Sequence, residues 1–517
     1  MNSDTVSPNE RIPKMRMIRW FVFLAFLSAQ PAFAKAPYDF GEVERNAAQA
    51  VLKGTVPSLA IAIAKDGKIV YEHAFGYADV GAHVLATTNT AYSLASATKP
   101  ITATALMVLH ERKGISLSAP LETYLPALRF RDAAGNAAQV DLLQLLSHTS
   151  GLGTYARIDY GDAIEHAAAL DDEFRRYGVL VYAPGRVSEY SNLGYGLIGE
   201  VIERQARRPL AEFVDQAVFR PLGMKDSFID SPSRRTISVA VGYDAASARL
   251  PELHNNTPGA GNAYASVHDL VRFGMFHLDP DTVALPPLNR TNTARMQANA
   301  NPRAFQHYYG DAYYGLGWYV RPNDGGHRVV WHEGGMPGAS TIIKMLPEQS
   351  IVVVVLSNRT DANDLTQTLA DQLIRVVLPD YRPAPLDPVA SYVPYAGQPE
   401  FLGRWIGMIT VDGVKLSCTL VLDSDGNGKI RYVDPAKPQN ASEASLRAMV
   451  NGDSFVSGFP GRLPSRDIAA SDAPLLLLKL VRTKNHLSGA IVAYSSPQRL
   501  DYLLPFAIDL ERQDTDE

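Results

Sequence analysis

The sequence is almost devoid of cysteine. Its 517 residues include one, Cys418, so no internal disulfide can form, and stability has to come from packing. An excess of positive charge is also missing, since 49 Lys and Arg residues stand against 54 Asp and Glu residues, for a net charge of −5. Because no long basic run attracts a phosphate backbone, nucleic acid is not an expected partner.

Internal repeats and low-complexity tracts are likewise absent. Apolar residues make up 46% of the chain and charged residues 20%, which is typical of a folded globular protein and excludes disordered and collagen-like classes. The length is sufficient for two or three domains.

Apolar runs long enough to span a bilayer are lacking too. The run Trp20–Ala29 falls short of the roughly 20 residues that a spanning helix needs. Arg16 and Arg19 precede this run, and Ala32-Phe33-Ala34 supplies small residues at the −3 and −1 positions of a cleavage site. We interpret residues 1–34 as a secretory signal peptide and expect an exported protein, periplasmic or secreted, with no stable membrane insertion after cleavage. An uncleaved membrane anchor is the alternative.

Hydrophobic periodicity predicts strands at both ends of the next part of the chain and helices between them. A helix is expected over 40–53, a hairpin around Asp66-Gly67, and mostly helical structure over 96–280. The later elements expected are strands over 329–332, 341–346 and 351–356, and a helix over 365–377. This order predicts one α+β unit, residues 38–380, whose terminal strands share a sheet.

Three prolines between Tyr381 and Pro388 mark a change of organisation. Closely spaced prolines favour extended structure, so we assign 381–396 as a linker. Beyond it, short apolar runs alternate with Gly, Asp and Pro turns, and residues 397–511 are predicted to be a smaller all-β domain that is compatible with a barrel.

Ser96-Ala97-Thr98-Lys99 matches the pattern S-x-x-K. At this spacing in a helix, the two functional side chains lie on one face, one turn apart. A serine hydroxyl is a weak nucleophile until a neighbouring group takes its proton, and a neutral lysine can do so once burial or another cation lowers its pKa. Ser96 as a helix N-cap with Lys99 in solvent is the structural alternative.

Two further short motifs follow, Tyr190-Ser191-Asn192 after a Pro-Gly loop and His332-Glu333-Gly334 at the end of an apolar strand. Each of the three motifs alone is expected roughly once in a chain of this composition. The alternatives are a packed phenol and a turn amide for the first, and a strand-end histidine for the second.

In their order and spacing the motifs resemble those of serine β-lactamases and penicillin-binding-protein-like hydrolases, in particular the class C-like branch that includes D-aminopeptidases, D-Ala-D-Ala carboxypeptidases and esterases. The resemblance covers roughly residues 42–378. Accessory stretches add to it: Val56–Ala60 through Gly76–Asp79, His148–Leu152 and Pro221–Met224.

The resemblance implies an antiparallel sheet flanked by helices, with a helical subdomain, and assigns roles within it. Ser96 would be the acylated nucleophile, with Lys99 and Tyr190 sharing its proton. Asn192 would hold Lys99 and a substrate amide, and His332 and Gly334 would line the opposite wall of the cleft. The oxyanion hole would use the backbone N–H groups of Ser96 and Gly335. No cofactor or metal is implied.

One position departs from the lactamase pattern, which usually has Lys-Thr-Gly where this chain has His332-Glu333-Gly334. A histidine can hydrogen-bond a substrate carboxylate or ester, but its charge depends on pH. This favours a peptidase or esterase, acting on small peptides or related metabolites, over an efficient β-lactamase. The competing hypotheses are a catalytically weak protein that binds penicillin or cell-wall peptides, a β-lactamase, and a binding role centred on the β-rich C-terminal part.

Three other features are weaker. His148 lies in a Ser/Thr/Gly turn, where a structural role is more typical than a catalytic one. His332-Glu333 does not continue as the zinc motif H-E-x-x-H, because Met336 occupies the last position. The segment from Asp423 to Asp434 approaches a calcium-loop pattern, but it lies between strands, where a hairpin turn recruits the same residues.

Overall fold

Two strands from distant parts of the chain form the middle of the central sheet. Ser58–Lys65 and Ile351–Ser357 consist largely of apolar residues and are buried on both faces, as central strands are. They pair antiparallel from Leu59 opposite Ser357 to Lys65 opposite Ile351. The prediction that strands from the two ends of the α+β part share a sheet is therefore confirmed.

The structure is a computed structural model, which describes residues 38–166, 168–229, 238–306, 311–384, 391–439, 441–469, 472, 474–495 and 500–513. The predicted signal peptide, residues 1–34, lies outside the described residues. Phe40–Glu517 forms one compact unit, which contains all the elements below.

The helices are numbered along the chain. They are α1 (Gly41–Leu52), α2 (Thr98–Lys113), α3 (Leu142–Leu146), α4 (Leu170–Tyr177), α5 (Asn192–Ala206), α6 (Leu210–Val214), α7 (Pro258–Gly261), α8 (Val267–Leu278), α9 (Arg290–Met296) and α10 (Asn363–Val377). No helix in this part of the chain combines the length and apolar character needed to cross a bilayer.

The strands up to Ser357 are β1 (Ser58–Lys65), β2 (Lys68–Asp79), β3 (Val84–Leu85), β4 (Tyr92–Ser93), β5 (Phe130–Asp132), β6 (Ala137–Ala138), β7 (Ala156–Tyr160), β8 (Val179–Leu180), β9 (Val187–Ser188), β10 (Phe228–Ile229), β11 (Leu253–Asn255), β12 (Ala263–Ala265), β13 (Phe305–Gln306), β14 (Tyr313–Tyr314), β15 (Tyr319–Asp324), β16 (His327–Met336), β17 (Ala339–Leu346) and β18 (Ile351–Ser357). The central sheet has the order β14-β15-β16-β17-β18-β1-β2-β3.

Helices cover both faces of the central sheet. Gly274 of α8 lies against Ile343 and Val352, whereas Asp371 of α10 forms an ion pair with Lys344. Because adjacent residues of a strand point to opposite faces, the contacts with Ile343 and Lys344 place α8 and α10 on opposite sides. The fold is the expected antiparallel sheet flanked by helices.

The remaining strands belong to the C-terminal part. They are β19 (Val393–Pro394), β20 (Gly403–Val411), β21 (Val414–Leu422), β22 (Gly428–Val433), β23 (Ser442–Leu446), β24 (Ala448–Asn451), β25 (Ser454–Pro460), β26 (Leu475–Thr483), β27 (His486–Tyr494) and β28 (Tyr502–Arg512).

These strands form a curled antiparallel sheet in the order β19-β24-β25-β26-β27-β28-β20-β21-β22-β23. The all-β character predicted for this region is confirmed. Strand β19 lies within the stretch assigned as a linker, while residues 385–390 of that stretch lie outside the described residues. One strand of the first part, β7, pairs with β28.

The segment that approaches a calcium-loop pattern forms the turn between β21 and β22. Asp423 Oδ1 accepts hydrogen bonds from the backbone N–H groups of Asp425 and Asn427. Where the chain is described, no three His, Cys, Asp or Glu side chains are grouped so that they could hold a metal ion.

Candidate active site

The predicted nucleophile lies on a tight turn that leads into α2. Ala95–Ala97 forms a single 3₁₀ turn, and α2 begins at Thr98. Ala95 has φ 46°, a left-handed conformation that a residue other than glycine seldom adopts, so the chain turns sharply just before Ser96. The N-cap of α2 is Ala97 and carries no side-chain cap. Ser96 therefore does not cap α2, and its side chain is partly exposed just before the helix begins.

Lys99 is fully buried directly behind Ser96. Its Nζ lies 3.2 Å from Ser96 Oγ, 2.7 Å from Asn192 Oδ1 and 2.9 Å from the backbone oxygen of Ala260. The last two oxygens can only accept, and they match the two N–H bonds of a neutral amine. The nitrogen lone pair then faces the Ser96 hydroxyl, as a base requires.

In the described part of the chain, the hydrogen-bond partners of Lys99 are Ser96, Asn192 and the Ala260 backbone, and none of them is a carboxylate. Burial lowers the pKa of Lys99 well below its ordinary value. A buried ammonium with only neutral partners is disfavoured, so Lys99 is a neutral amine over more of the pH range than a surface lysine. This supplies the condition that the S-x-x-K pattern alone could not establish.

Tyr190 precedes helix α5 and approaches the same two residues. Ser191 is the N-cap of α5, and its hydroxyl accepts from the Gly194 N–H, which fixes the chain immediately after Tyr190. The Lys99 Nζ lies 4.6 Å from the centroid of the Tyr190 ring. Loss of hydration raises the pKa of Tyr190, and a hydrogen bond with Ser96 opposes this only partly. Tyr190 is therefore a protonated phenol at neutral pH, able to donate a proton.

Asn192 connects the two motifs. Its amide nitrogen donates to the backbone oxygen of Tyr155 at 2.6 Å, which fixes the orientation of the amide and turns Oδ1 toward Lys99. Four of the predicted residues, Ser96, Lys99, Tyr190 and Asn192, thus meet in one place.

His332 lies on β16, at the opposite wall, and is 1% exposed. Its Nδ1 lies 2.7 Å from the Glu333 backbone oxygen, an acceptor, so Nδ1 carries the proton. Its Nε2 then accepts from the Tyr314 hydroxyl at 2.9 Å. Burial, with a smaller contribution from Lys99, lowers the pKa of His332 to about 3. The ring is neutral, and both nitrogens are engaged within the protein; a contact between His332 and substrate stays a prediction.

Gly334 and Gly335 lie where β16 approaches the nucleophile turn. A Cβ at Gly334 would be 2.1 Å from the Leu94 backbone oxygen and 2.3 Å from Thr341 Oγ1. Thr341 also donates to that Leu94 oxygen at 3.0 Å. The absence of a side chain at 334 is what permits the strand to pack directly on the turn that carries Ser96. The oxyanion-hole role of Gly335 stays a prediction.

Sequence reasoning missed part of the aromatic surroundings. The ring of His148 lies 4.3 Å from that of Tyr190 and 4.4 Å from that of Tyr314, centroid to centroid. His148 Nδ1 accepts from the Ser191 N–H at 3.1 Å, so His148 supports the Tyr190 segment through the backbone. The sequence around Tyr314 contains several tyrosines just before β15, which is only a weak indication of a functional role. Nothing in this stretch predicts the hydrogen bond between Tyr314 and His332.

Comparisons with known proteins agree with this arrangement. The family model described as Beta-lactamase matches residues 43–377. Protein flp of Staphylococcus aureus (strain MW2) is 28% identical over 319 residues, which are 59% of this chain and 60% of that protein. The match therefore spans less than two thirds of this curated relative.

Two solved structures share the fold over most of the chain. The octameric penicillin-binding protein homologue from Pyrococcus abyssi has a TM-score of 0.56 at 22% identity, covering 91% of this chain and all of that one. The crystal structure of SurE with D-Leu has a TM-score of 0.61 at 22% identity, covering 92% of this chain and all of that one.

Proposed function

Because the chain belongs to the Beta-lactamase family, whose model matches residues 43–377, we propose that it is an exported serine hydrolase that forms an acyl-enzyme on Ser96. The observation that carries the proposal is the buried Lys99 amine, which lies 3.2 Å from Ser96 Oγ and has no carboxylate partner among the described residues.

Acylation starts when the Lys99 nitrogen takes the proton of Ser96 Oγ as the oxygen attacks the substrate carbonyl carbon. A tetrahedral adduct forms, and its oxyanion is stabilised by the backbone N–H groups of Ser96 and Gly335. When the adduct collapses, the bond to the leaving amine or alcohol breaks, and Tyr190 donates a proton to it. The proton held by Lys99 restores the phenol.

Deacylation runs the same groups in reverse order. Water attacks the ester carbonyl of acylated Ser96 and loses its proton to Lys99. As the adduct collapses, the bond to Ser96 Oγ breaks, Tyr190 donates a proton to that oxygen, and the proton held by Lys99 restores the phenol. The opposite pKa shifts of Lys99 and Tyr190 make this division of labour reasonable, since one group is kept as a base and the other as an acid.

The substrate class follows from what faces the nucleophile. The wall formed by His332 lacks the permanent cation of the lactamase pattern, and its neutral ring already has both nitrogens engaged. This supports amide or ester substrates in small peptides or related metabolites over efficient β-lactam turnover. The D-leucine bound in the structurally similar SurE makes D-amino-acid derivatives the first amides to try.

Export rests on the sequence alone. The apolar run Trp20–Ala29 and the small residues Ala32 and Ala34 support cleavage after Ala34. We expect N-terminal sequencing of the protein recovered outside the cytoplasm to give Lys35 as the first residue. Recovery of the protein with residues 1–34 still attached would contradict the proposal.

The activity is tested with a panel of p-nitrophenyl esters, D-amino-acid amides and nitrocefin, applied to the wild type and to Ser96→Ala. Ser118→Ala is a matched control, because Ser118 lies on an exposed loop after α2. Turnover is expected in the wild type and in Ser118→Ala, and none above background in Ser96→Ala. Turnover that survives in Ser96→Ala would overturn the mechanism. Acylation by labelled penicillin without turnover of any substrate would favour the binding protein.

A further inference from the structure

The C-terminal sheet contacts the catalytic part close to Tyr190. Strand β28 pairs with β7, with Tyr502 opposite Arg157 and Leu503 opposite Ala156. A Cβ added at Gly153 would lie 2.6 Å from Pro505 Cβ, so the loop before β7 packs against β28 without space for a side chain. The sheet is therefore continuous with the segment that leads from His148 into β7.

A buried ion pair lies within this contact. The Lys479 ammonium, on β26, donates to Glu189 Oε1 at 2.7 Å. Thr154 Oγ1 donates to the same carboxylate oxygen at 2.5 Å, and Lys479 Nζ also lies 3.1 Å from Thr154 Oγ1. The Glu189 side chain is 0% exposed and that of Lys479 13%. Solvent thus screens this pair little.

Glu189 directly precedes Tyr190, and both neighbours of Tyr190 are anchored. The Glu189 N–H donates to the His148 backbone oxygen at 2.8 Å, and the Ser191 N–H donates to His148 Nδ1 at 3.1 Å. The Glu189 side chain connects this segment to the C-terminal sheet through Lys479. Proton transfer requires the Tyr190 hydroxyl to stay close to Ser96 Oγ. A shift of the Tyr190 backbone would therefore change the distance and angle of that transfer.

Stability alone is a poor explanation of such a pair. Desolvation of two charges offsets most of their attraction, so a buried ion pair is weak evidence of a stabilising role. The same two regions are also joined through Asp467, which pairs with Arg176 of α4 at 2.9 Å and with Arg157 of β7 at 3.5 Å. Neither arginine lies between Glu189 and Ser191, so Asp467 provides a comparison.

We propose that Lys479 is a positioning residue for Tyr190. Lys479 binds the carboxylate of Glu189 and so fixes the backbone of the adjacent Tyr190. The C-terminal sheet thereby contributes to catalysis through the position of Tyr190. The inference rests on the proposed function and deepens it, because it specifies what keeps the proton donor in place.

The test compares steady-state kinetics and melting temperature for three variants on a p-nitrophenyl ester or amide that the wild type turns over. Lys479→Met is expected to lower kcat about 10-fold, part of the hundredfold or more that a well-placed proton donor contributes, with KM changed less than about 3-fold. Lys479→Arg, which keeps the charge and donors, is expected to recover most of kcat. The double variant Glu189→Gln/Lys479→Met removes both charges, so its melting temperature should return toward that of the wild type while kcat stays low.

Asp467→Asn is the matched control, since it weakens the ion pairs of Asp467 with Arg157 and Arg176. It is expected to lower the melting temperature and to leave kcat unchanged well below that temperature. The proposal is overturned if Lys479→Met keeps wild-type kcat, if Asp467→Asn lowers kcat as much as Lys479→Met, or if kcat recovers with melting temperature in the double variant. Loss of turnover in Ser96→Ala together with full activity in Lys479→Met would reject the positioning role and leave the proposed function intact.

Discussion

Asn192 Oδ1 accepts a 2.7 Å hydrogen bond from Lys99 Nζ. Because the amide nitrogen of Asn192 is held by the Tyr155 backbone oxygen, the side chain can present only an acceptor to the lysine. Asn192 thereby takes up one of the two N–H bonds of the neutral amine and helps to direct its lone pair at Ser96.

Asn192→Asp tests this relationship. A carboxylate in place of the amide oxygen stabilises the ammonium form and raises the pKa of Lys99, so the base is protonated at neutral pH. We expect lower kcat/KM at neutral pH and an acidic limb of the pH–rate profile that moves to higher pH. Asn192→Ala, which adds no charge, should lower the rate without that upward movement. Superimposable pH profiles for Asn192→Asp and the wild type would contradict the assignment of Lys99 as base.

Lys99→Met tests the neutral state of the lysine through stability. Burial lowers the pKa of Lys99 in the folded protein, whereas in the unfolded chain the pKa of Lys99 is about 10.4. Between these values the unfolded chain binds more protons, so Lys99 makes the free energy of unfolding of the wild type fall as the pH falls.

Methionine does not titrate. The difference in free energy of unfolding, Lys99→Met minus wild type, should therefore increase on going from about pH 9 to about pH 7, by up to about 1.4 kcal/mol per pH unit. Urea unfolding at several pH values measures it. Parallel pH dependences would mean that Lys99 is protonated in the folded protein.

His277, on α8, provides a second stability test. Burial lowers the pKa of His277 to about 3, and its Nε2 is paired with Thr104 Oγ1 at 3.1 Å. The unfolded chain binds the additional proton between about pH 6.5 and about pH 3, so stability is complete above this window and is lost as the pH falls through it.

In His277→Gln the free energy of unfolding should depend less on pH within that window, by up to about 1.4 kcal/mol per pH unit. His83→Gln, at an exposed histidine, is the control variant. An equal acid sensitivity of His277→Gln and the wild type would refute the burial argument.

Gly334→Ala and Gly335→Ala form a matched pair on β16. A Cβ at 334 would overlap the Leu94 backbone oxygen, whereas a Cβ at 335 meets only the end of the Asn363 side chain, at 3.2 Å. Gly334→Ala must therefore push the strand away from the turn that carries Ser96. We expect kcat/KM to fall at least about 10-fold and the melting temperature to drop, as overpacking does at a tight contact. Gly335→Ala should keep most of its stability; a Gly334→Ala variant with wild-type activity would show that the strand does not set the site geometry.

Much of the fold could be predicted because its signals are local. The apolar strands at 58 and 351 and the Asp66-Gly67 turn follow short-range rules, and one helical turn suffices to bring Lys99 behind Ser96. The family resemblance then related Tyr190 and Asn192 to that pair over a distance in sequence that no periodicity covers.

The remaining features depend on contacts with no local pattern. Lys479 interrupts an apolar strand, a sign of a buried partner, but that partner, Glu189, lies 290 residues away. Likewise, the sequence shows that His332 replaces the lysine of the lactamase pattern and so changes the charge at this position. The hydrogen bonds of its ring with Tyr314 and the Glu333 backbone depend on packing and could not be predicted. The pairing of β7 with β28 was missed for the same reason.

The most direct test of the acyl-enzyme is mass spectrometry of the protein quenched shortly after mixing with a p-nitrophenyl ester that it hydrolyses. We predict a mass increase equal to one acyl group, located by peptide mapping on Ser96 and absent from Ser96→Ala. An acyl group on another residue of an active enzyme, or equal labelling of Ser96→Ala, would contradict it.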